Sequence, residues 1–297
     1  MRSVRPFVFW EPTDSVWAVA TSDLAERLGH RADTRLLILS STGLGGCHAM
    51  NEGVYRSLRD GLSTTASLLM PCPWAREAAA RFRGEDVGVA FTLNAEFDLY
   101  RWGPVTHAPS LLDGDGGFPR TVDDAWDHAD LDEVRRECRA QLERAVLWGF
   151  DVTHLGSHLD AMTVRPEFFD VMLDLACEFR LPLRLACEST RVGFPVADLT
   201  AEAGVLAPDR VVRLAPGSGN RYRHIEQLLD SLEPGVTELQ LQPAADLPEL
   251  RSLTADWGSR VEDLDHLTTN TELRTHVERS GVVLVGYRAL RDLQRAA

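Results

Sequence analysis

The chain has 297 residues, with 31 basic and 45 acidic side chains and a formal net charge of −14. Every basic residue is arginine, because the sequence contains no lysine. This excludes the mechanisms that need a lysine side chain: Schiff-base and pyridoxal-phosphate enzymes, P-loop nucleotide enzymes and Ser–Lys hydrolases. The acidic balance also argues against a nucleic-acid partner, since phosphate binding draws on a basic surface.

The composition is that of a globular chain, with 44% apolar residues. A membrane-spanning helix needs about 18 consecutive apolar residues, and no apolar run approaches this length. The N-terminus also lacks the apolar stretch of a signal peptide. The five cysteines lack CxxC spacing, so neither a disulfide framework nor a zinc ribbon is indicated. We therefore expect a cytoplasmic protein with no membrane partner.

Short apolar runs alternate with amphipathic stretches along the chain. Leu36–Leu39 predicts a buried strand, followed by a helix over Asn51–Asp60 that ends at Gly61. Further runs predict strands at Ser67–Met70, Val87–Leu93, Val152–Leu155, Leu183–Ala186, Val211–Leu214, Thr237–Leu241 and Val282–Val285.

Two helices between these strands carry start signals. Leu131–Trp148 has one apolar face, and Asp130 with Glu133 resembles a capping box. Pro166, a favoured first-turn residue, starts a helix to about Arg180. Strands that alternate with helices predict parallel βαβ units and hence a single α/β domain, a closed or nearly closed β/α barrel. In such a barrel the chemistry lies at the carboxyl ends of the strands.

Several segments at and beyond the strand ends resemble one branch of the YdjC-like carbohydrate deacetylases, the family that includes chito-oligosaccharide and hopanoid-pathway deacetylases. They are Cys47–Asn51, Met70–Trp74, Tyr100–Pro104, Ser110–Asp113, Thr153–Leu155 and Tyr287–Asp292. The resemblance implies a distorted TIM-type barrel of about seven strands over residues 35–297. Residues 1–34 precede it, and Trp10, Trp17, Leu24 and Leu28 indicate an N-terminal extension that packs on the barrel.

The resemblance also implies a divalent metal held by one aspartate and two histidines, with a second aspartate as base and a late histidine assisting the leaving group. Here the Asp-Asp pair falls on Thr42 and Gly43, and the third-strand histidine falls on Ala90. In the fourth-strand motif His158 is retained, but its preceding aspartate has become Gly156, and the late histidine has become Gln242. Glycine and alanine supply no ligand atom, so we predict no metal and no other cofactor.

The candidate catalytic residues are His158, Asp160 and Glu96. His158 stands at a strand end, and Asp160 shares its face if the strand continues that far. Glu96 follows the third strand and is placed to face His158 across the barrel mouth as an acid–base partner. Each also has a structural alternative: an inert hydrogen-bonded imidazole, a turn-forming aspartate, and a surface carboxylate paired with Arg101.

The candidate substrate-binding residues are Thr42, Ser40, Arg101, His48, His154, Gln242 and Trp102. Arg101 suits a carboxylate or phosphate, and Trp102 suits a sugar ring, although tryptophans are more often core residues. The hydroxyls of Ser40 and Thr42 replace the family's carboxylates and are suited to hold a water or a substrate oxygen. His154 resembles a family position outside the metal set and is more often structural.

Three functions follow from these residues. The preferred one is a repurposed, metal-independent enzyme that uses acid–base chemistry (isomerisation, elimination or cyclisation) on a small polar or glycosyl metabolite, a role compatible with specialised biosynthesis. The second is a non-catalytic protein that binds a glycan or metabolite or serves as a partner subunit. The third is a true deacetylase with a relocated metal held by His158, Asp160 and Glu96. Each implies a small polar or sugar-like ligand and is compatible with a homo-oligomer.

Overall fold

The computed structural model describes residues 23–163, 165–185, 194–214 and 220–296. The strands are β1 (Arg35–Leu44), β2 (Thr65–Leu68), β3 (Val87–Phe91), β4 (Val152–Ser157), β5 (Arg210–Arg213), β6 (Gly235–Leu241) and β7 (Val283–Leu284). They form one parallel sheet in the order β4-β3-β2-β1-β6-β5, with β7 paired to the start of β1.

Helices flank this sheet. They are α1 (Leu24–Arg27), α2 (His48–Arg59), α3 (Ala75–Arg81), α4 (Val122–His128), α5 (Leu131–Leu147), α6 (Pro166–Phe179), α7 (Val196–Glu202), α8 (Arg221–Ser231), α9 (Pro248–Leu253), α10 (Trp257–Thr268), α11 (Thr271–Ser280) and α12 (Tyr287–Ala296). Short 3₁₀ turns lie at Pro109–Leu111 and His158–Asp160.

The predicted cap of α5 is half formed. The Asp130 side chain accepts a hydrogen bond from the Glu133 backbone N–H at 3.1 Å, as an N-cap residue does. The Glu133 carboxylate does not complete the capping box, because it accepts instead from the backbone and hydroxyl of Ser110. This contact ties the long segment after β3 to the start of α5.

The outer face of the sheet is apolar and packs against the helices. On β1, Leu37 and Leu39 join the apolar side chains of α8 and α11 in one cluster. On β3, Val89 and Phe91 share a second cluster with α5 and α6. Strands buried on both faces read as continuous apolar runs, which is why the sequence located most of them.

Side chains from distant strands meet on the inner face, so the sheet is curved into a half-barrel. His154 on β4 and Glu238 on β6 are separated by three strands, yet both contact Tyr287. Between β4 and β5 the ring continues through a single backbone bridge from Leu155 to Leu183. The prediction of one α/β barrel-like domain with about seven strands is confirmed. The predicted strand at Leu183–Ala186 is only this bridge among the described residues.

The C-terminal helix closes the amino-terminal end of the half-barrel. Tyr287 at the start of α12 is fully buried and stacks on the His154 ring, with 3.9 Å between ring centroids. Next to it, the Asp86 carboxylate accepts hydrogen bonds from Thr65, Thr153 and the Arg288 backbone N–H. The opposite end, where the strands finish, is therefore the open mouth.

The described part of the N-terminal segment packs at this closed end. Leu24 and Ala25 are buried in a cluster with Leu36 and Tyr287, and Leu28 packs against it. Residues 1–22, with Trp10 and Trp17, lie outside the described residues, so the extent of the extension stays a prediction. Within the described ranges, no helix combines the length and apolar character that crossing a membrane requires.

Candidate active site

The carboxyl ends of β1, β4, β5 and β6 bring polar side chains together at the mouth. Ser40 and Gln240 are register partners on β1 and β6, and Arg213 is the register partner of Gln240 on β5. His158 follows the last residue of β4 directly. Parallel strands end at the same edge of a sheet, which explains why residues far apart in sequence meet here.

His158 and Glu96 form a hydrogen-bonded pair, with 2.9 Å between His158 Nε2 and Glu96 Oε2. Both side chains are largely sheltered, since 13% of His158 and 28% of Glu96 is exposed. Trp102 lies beside His158, with 6.5 Å between the two ring centroids, and its Nε1 donates to the Asn94 carbonyl. The sequence placed Glu96 and His158 opposite each other, and the structure brings them into contact.

This pair has a defined proton arrangement. Burial raises the pKa of the Glu96 carboxyl, but the charge and hydrogen bond of His158, with the charge of Arg260, outweigh it and lower that pKa. An ionised Glu96 accepts the Nε2 proton of His158, which fixes the imidazole tautomer. Nδ1 has no hydrogen-bond partner among the described residues and is the nitrogen available as a base.

Asp160 does not join this pair. β4 ends at Ser157, and both Leu159 (φ 48°) and Asp160 (φ 61°) adopt left-handed backbone conformations. The condition that the strand continues to Asp160 therefore does not hold. Its carboxylate instead accepts two hydrogen bonds from Arg213. Burial raises the pKa of Asp160, but these bonds and the charges of Arg213 and Arg184 bring it below its ordinary value.

Two arginines that the sequence reading did not select stand at this edge. Arg213, at the end of β5, also donates from Nε to Gln240 Oε1 at 2.9 Å. Arg184, next to the Leu183 bridge, is only 6% exposed. Its Nη1 donates to Ser67 Oγ and its Nη2 to the Ser157 carbonyl. Both lie inside predicted strands, and a charged residue in a buried apolar run was the available signal.

The Arg184 guanidinium fills the space beside Gly156. A Cβ atom added to Gly156 would lie 2.9 Å from Nε, Cζ and Nη2 of Arg184, closer than real Cβ contacts allow. An aspartate at this position, as in the family pattern, is therefore incompatible with this placement of Arg184.

The residues present do not fit the metal that the family pattern implies. Thr42 uses its hydroxyl to donate to the Leu241 carbonyl, and Gly43, Ala90 and Gly156 carry no ligand atom. A guanidinium beside Gly156 also repels a cation. Within the described ranges, no three His, Cys, Asp or Glu side chains are grouped so as to hold a metal ion. This also applies to the relocated metal site predicted at His158, Asp160 and Glu96, because the Asp160 carboxylate is hydrogen-bonded to Arg213.

The remaining predicted substrate residues lie in different surroundings. Ser40 is buried on the inner face beside Glu238, whereas Gln242 is partly buried and its backbone N–H donates to Asp263. Arg101 donates to Asp113 and to two carbonyls within its own loop. His48 starts α2, where its ring lies 5.2 Å from that of Trp74.

His154 is fully buried below the mouth. Its Nε2 lies 3.4 Å from Ser67 Oγ and its Nδ1 lies 3.2 Å from Thr153 Oγ1. Burial, helped by the charge of Arg184, lowers the pKa of His154 well below its ordinary range, so the ring is neutral. As placed, His154 supports the side chains that hold Arg184. Direct substrate contacts of His154, Arg101 and His48 stay predictions.

Comparison with known proteins agrees with this architecture. The carbohydrate deacetylase of Thermus thermophilus is 37% identical over 247 residues, which are 81% of this chain and 89% of that protein. That of Geobacillus stearothermophilus is 31% identical over 259 residues, covering 86% and 97%. A crystal structure from Enterococcus faecalis V583, provisionally named a cellobiose-phosphate cleavage protein, superposes with a TM-score of 0.77 at 24% identity, covering 86% of this chain and 99% of that one, and so supports the fold. The family model for YdjC-like proteins matches residues 36–278, and the chain therefore belongs to the YdjC-like family.

Proposed function

We propose that this protein is an enzyme on the carbohydrate-deacetylase scaffold that moves protons on a sugar-like substrate through His158 and Glu96, without a resident metal. The observation that carries the proposal is the 2.9 Å contact between His158 Nε2 and Glu96 Oε2 at the barrel mouth. His158 would serve as the catalytic base. Other positions at which the family pattern places metal ligands hold residues such as Ala90 and Gly156, whose side chains cannot bind a metal.

The substrate class is taken from the relatives. The Thermus thermophilus protein is named a carbohydrate deacetylase, and a Yersinia pestis relative, 29% identical over 160 residues, is named a chitooligosaccharide deacetylase. That second match covers 51% of this chain and 59% of the relative. We extend only the sugar-like character of those substrates to this chain, together with a binding site at the mouth.

The dyad supports proton transfer within one substrate molecule. His158 Nδ1 removes a proton from a substrate carbon, and the Glu96 carboxylate stabilises the imidazolium that forms. The imidazolium then returns the proton to another substrate carbon or oxygen, which completes an isomerisation, or to a departing hydroxyl, which completes an elimination with release of water. A positioned general base of this kind contributes roughly 10²- to 10⁴-fold to the rate.

One experiment distinguishes the three predicted functions. The protein is incubated in D₂O with N-acetylglucosamine, N,N′-diacetylchitobiose and D-glucuronate, and ¹H NMR records deuterium incorporation, new alkene or anomeric signals, and free acetate. We expect deuterium incorporation or a new signal that EDTA does not affect. His158→Ala is expected to lower this rate by at least roughly 100-fold.

A matched control is available on the outer surface. His276 Nε2 lies 2.9 Å from Asp230 Oδ1, a histidine–carboxylate pair of the same length, so His276→Ala should leave the rate unchanged. Full activity in His158→Ala would refute the role of the dyad. Acetate release that requires added zinc and stops with EDTA would identify a metal-dependent deacetylase. Binding of these sugars without any conversion would favour the non-catalytic alternative.

A further inference from the structure

Arg184 is a nearly buried cation for which the described residues supply no counter-ion. With 6% of its surface exposed, it makes two hydrogen bonds, both to uncharged oxygens, from Nη1 to Ser67 Oγ and from Nη2 to the Ser157 carbonyl. No carboxylate in the described ranges lies within ion-pair distance of it. Burying an unpaired charge is costly, so the guanidinium needs a partner that the described part of the chain does not supply.

The two carboxyl groups whose pKa values respond to the charge of Arg184, those of Asp160 and Glu238, are engaged elsewhere. Asp160 accepts two hydrogen bonds from Arg213, and Glu238 accepts a hydrogen bond from the Tyr287 hydroxyl. Both feel the charge of Arg184 without contacting it. Since Asp160 is paired with Arg213 and Glu238 with the Tyr287 hydroxyl, no carboxylate among the described residues contacts Arg184.

A chain of hydrogen bonds holds Arg184 from behind. Because Ser67 Oγ accepts from Arg184, its own proton is free to be donated to His154 Nε2, 3.4 Å away. His154 Nδ1 is then the protonated nitrogen and donates to Thr153, which in turn donates to Asp86. These contacts fix the guanidinium in one orientation before any ligand arrives, which favours strong binding.

The guanidinium also lies next to the proposed base. The carbonyl that accepts from Arg184 belongs to Ser157, the residue directly before His158, and the guanidinium covers Gly156. On the same inner face, Gln240 is 8% exposed, and its Nε2 has no hydrogen-bond partner among the described residues. Its amide oxygen is held by Arg213. The inner face thus offers N–H donors on two buried side chains to a ligand.

We propose that Arg184, assisted by the Gln240 amide, binds a carboxylate of the substrate, so that the substrate is a sugar acid. A monoanionic carboxylate suits this guanidinium better than a phosphate dianion, because the nearby carboxylates of Glu96 and Asp160 repel a dianion more strongly. A planar guanidinium also suits bidentate binding of a carboxylate. The location of the substrate rests on the proposed function, whereas the binding of the carboxylate does not need catalysis.

Isothermal titration of the full-length protein with D-glucuronate, D-glucose and D-glucose 6-phosphate tests this proposal. We expect the dissociation constant of glucuronate to be at least about tenfold lower than that of glucose, the usual effect of a charged hydrogen bond. Equal affinity for glucuronate and glucose, including no binding of either, would overturn the proposal. Tighter binding of glucose 6-phosphate than of glucuronate would overturn the assignment of a carboxylate.

Variants locate the effect. Arg184→Met should abolish the preference for glucuronate, and Arg184→Lys should weaken it because the forked donor geometry is lost. Arg279→Met, which removes an exposed charge at the end of α11, should leave it within about twofold. Circular dichroism verifies folding, and if Arg184→Met does not fold, Arg184→Lys and the wild-type comparison decide. An unchanged preference in a folded Arg184→Met would refute the role of Arg184.

His158→Ala separates this proposal from the proposed function. It should bind glucuronate within about threefold of wild type, because the carboxylate contacts Arg184 and not the imidazole. If the dyad has no catalytic role, the preference for glucuronate remains. If the preference is absent while His158→Ala still abolishes turnover, the carboxylate site is wrong and the dyad stands.

Discussion

Replacing Gly156 with alanine is expected to destabilise the protein by about 2 kcal/mol, because the added methyl group collides with the Arg184 guanidinium. The new Cβ would lie 2.9 Å from three guanidinium atoms. The end of an exposed arginine would simply move aside, but this one is buried and bonded to Ser67 and the Ser157 carbonyl. Loss of one hydrogen bond to a charged group costs roughly 1.5 to 3 kcal/mol, which sets the magnitude.

Thermal and urea unfolding followed by circular dichroism measure this effect. A loss of about 2 kcal/mol corresponds to a fall in Tm of roughly 3 to 4 °C for a chain of this size. Gly114→Ala is the matched control, because a Cβ added there meets nothing within 4 Å and its φ lies outside the left-handed region. Its free energy of unfolding should stay within about 0.5 kcal/mol of wild type.

A double-mutant cycle with Arg184→Ala identifies the colliding group. With the guanidinium removed, Gly156→Ala should cost less than about 0.5 kcal/mol, so the two changes should show a coupling energy of about 2 kcal/mol. The same cost of Gly156→Ala in both backgrounds would show that the methyl group meets something other than Arg184. The explanation for the incompatibility of an aspartate at position 156 would then fail.

Three further predictions concern the charged and sulfur-containing groups. Glu96→Gln should lower the rate of the reaction detected in D₂O by on the order of 100-fold without changing the Tm by more than a few degrees, measured by NMR and circular dichroism. The pKa of Asp160 is lowered in the folded state, so its pairing with Arg213 stabilises the protein at pH values above the unfolded pKa of about 4. This stabilisation is lost as the pH falls through the folded pKa. The difference in unfolding free energy between wild type and Asp160→Asn should therefore be constant from about pH 7 to 5 and vanish in acid. Iodoacetamide at pH 8 should modify the exposed Cys177 long before Cys47, which is buried and whose pKa is raised to about 11, and mass spectrometry of the peptides gives the order.

The sequence located most elements because their apolar runs and caps are local signals. The predicted helix at Leu131–Trp148 is α5, which ends one residue earlier, and the strand over Val152–Leu155 is β4, which continues to Ser157. The contact between Glu96 and His158 was also accessible, since both residues follow strands whose ends converge. A knowledge of topology was sufficient to place them together.

The hydrogen-bond partners of Asp160 and the position of Arg184 at the site could not be predicted from the sequence in the same way. A one-residue difference in where a strand ends reverses the direction of a side chain, and two left-handed residues after β4 decide where Asp160 goes. Arg184 reaches Ser67 across the inner face, a contact between residues 117 positions apart that no local pattern encodes. The arginine inside Leu183–Ala186 is visible in the sequence as an exception to an apolar run. The direction of its side chain, however, depends on the space that Gly156 leaves open because it has no Cβ atom.

The contribution of α12 to the interior has a consequence for biosynthesis of the chain. The Tyr287 hydroxyl donates a hydrogen bond to Glu238, and the Arg288 backbone N–H donates one to Asp86. Until α12 has been synthesised, the carboxyl groups of Glu238 and Asp86 each lack one of their hydrogen-bond donors. The inner face of the half-barrel therefore reaches its final set of hydrogen bonds only when α12 docks, and a chain truncated before Tyr287 should fold less stably.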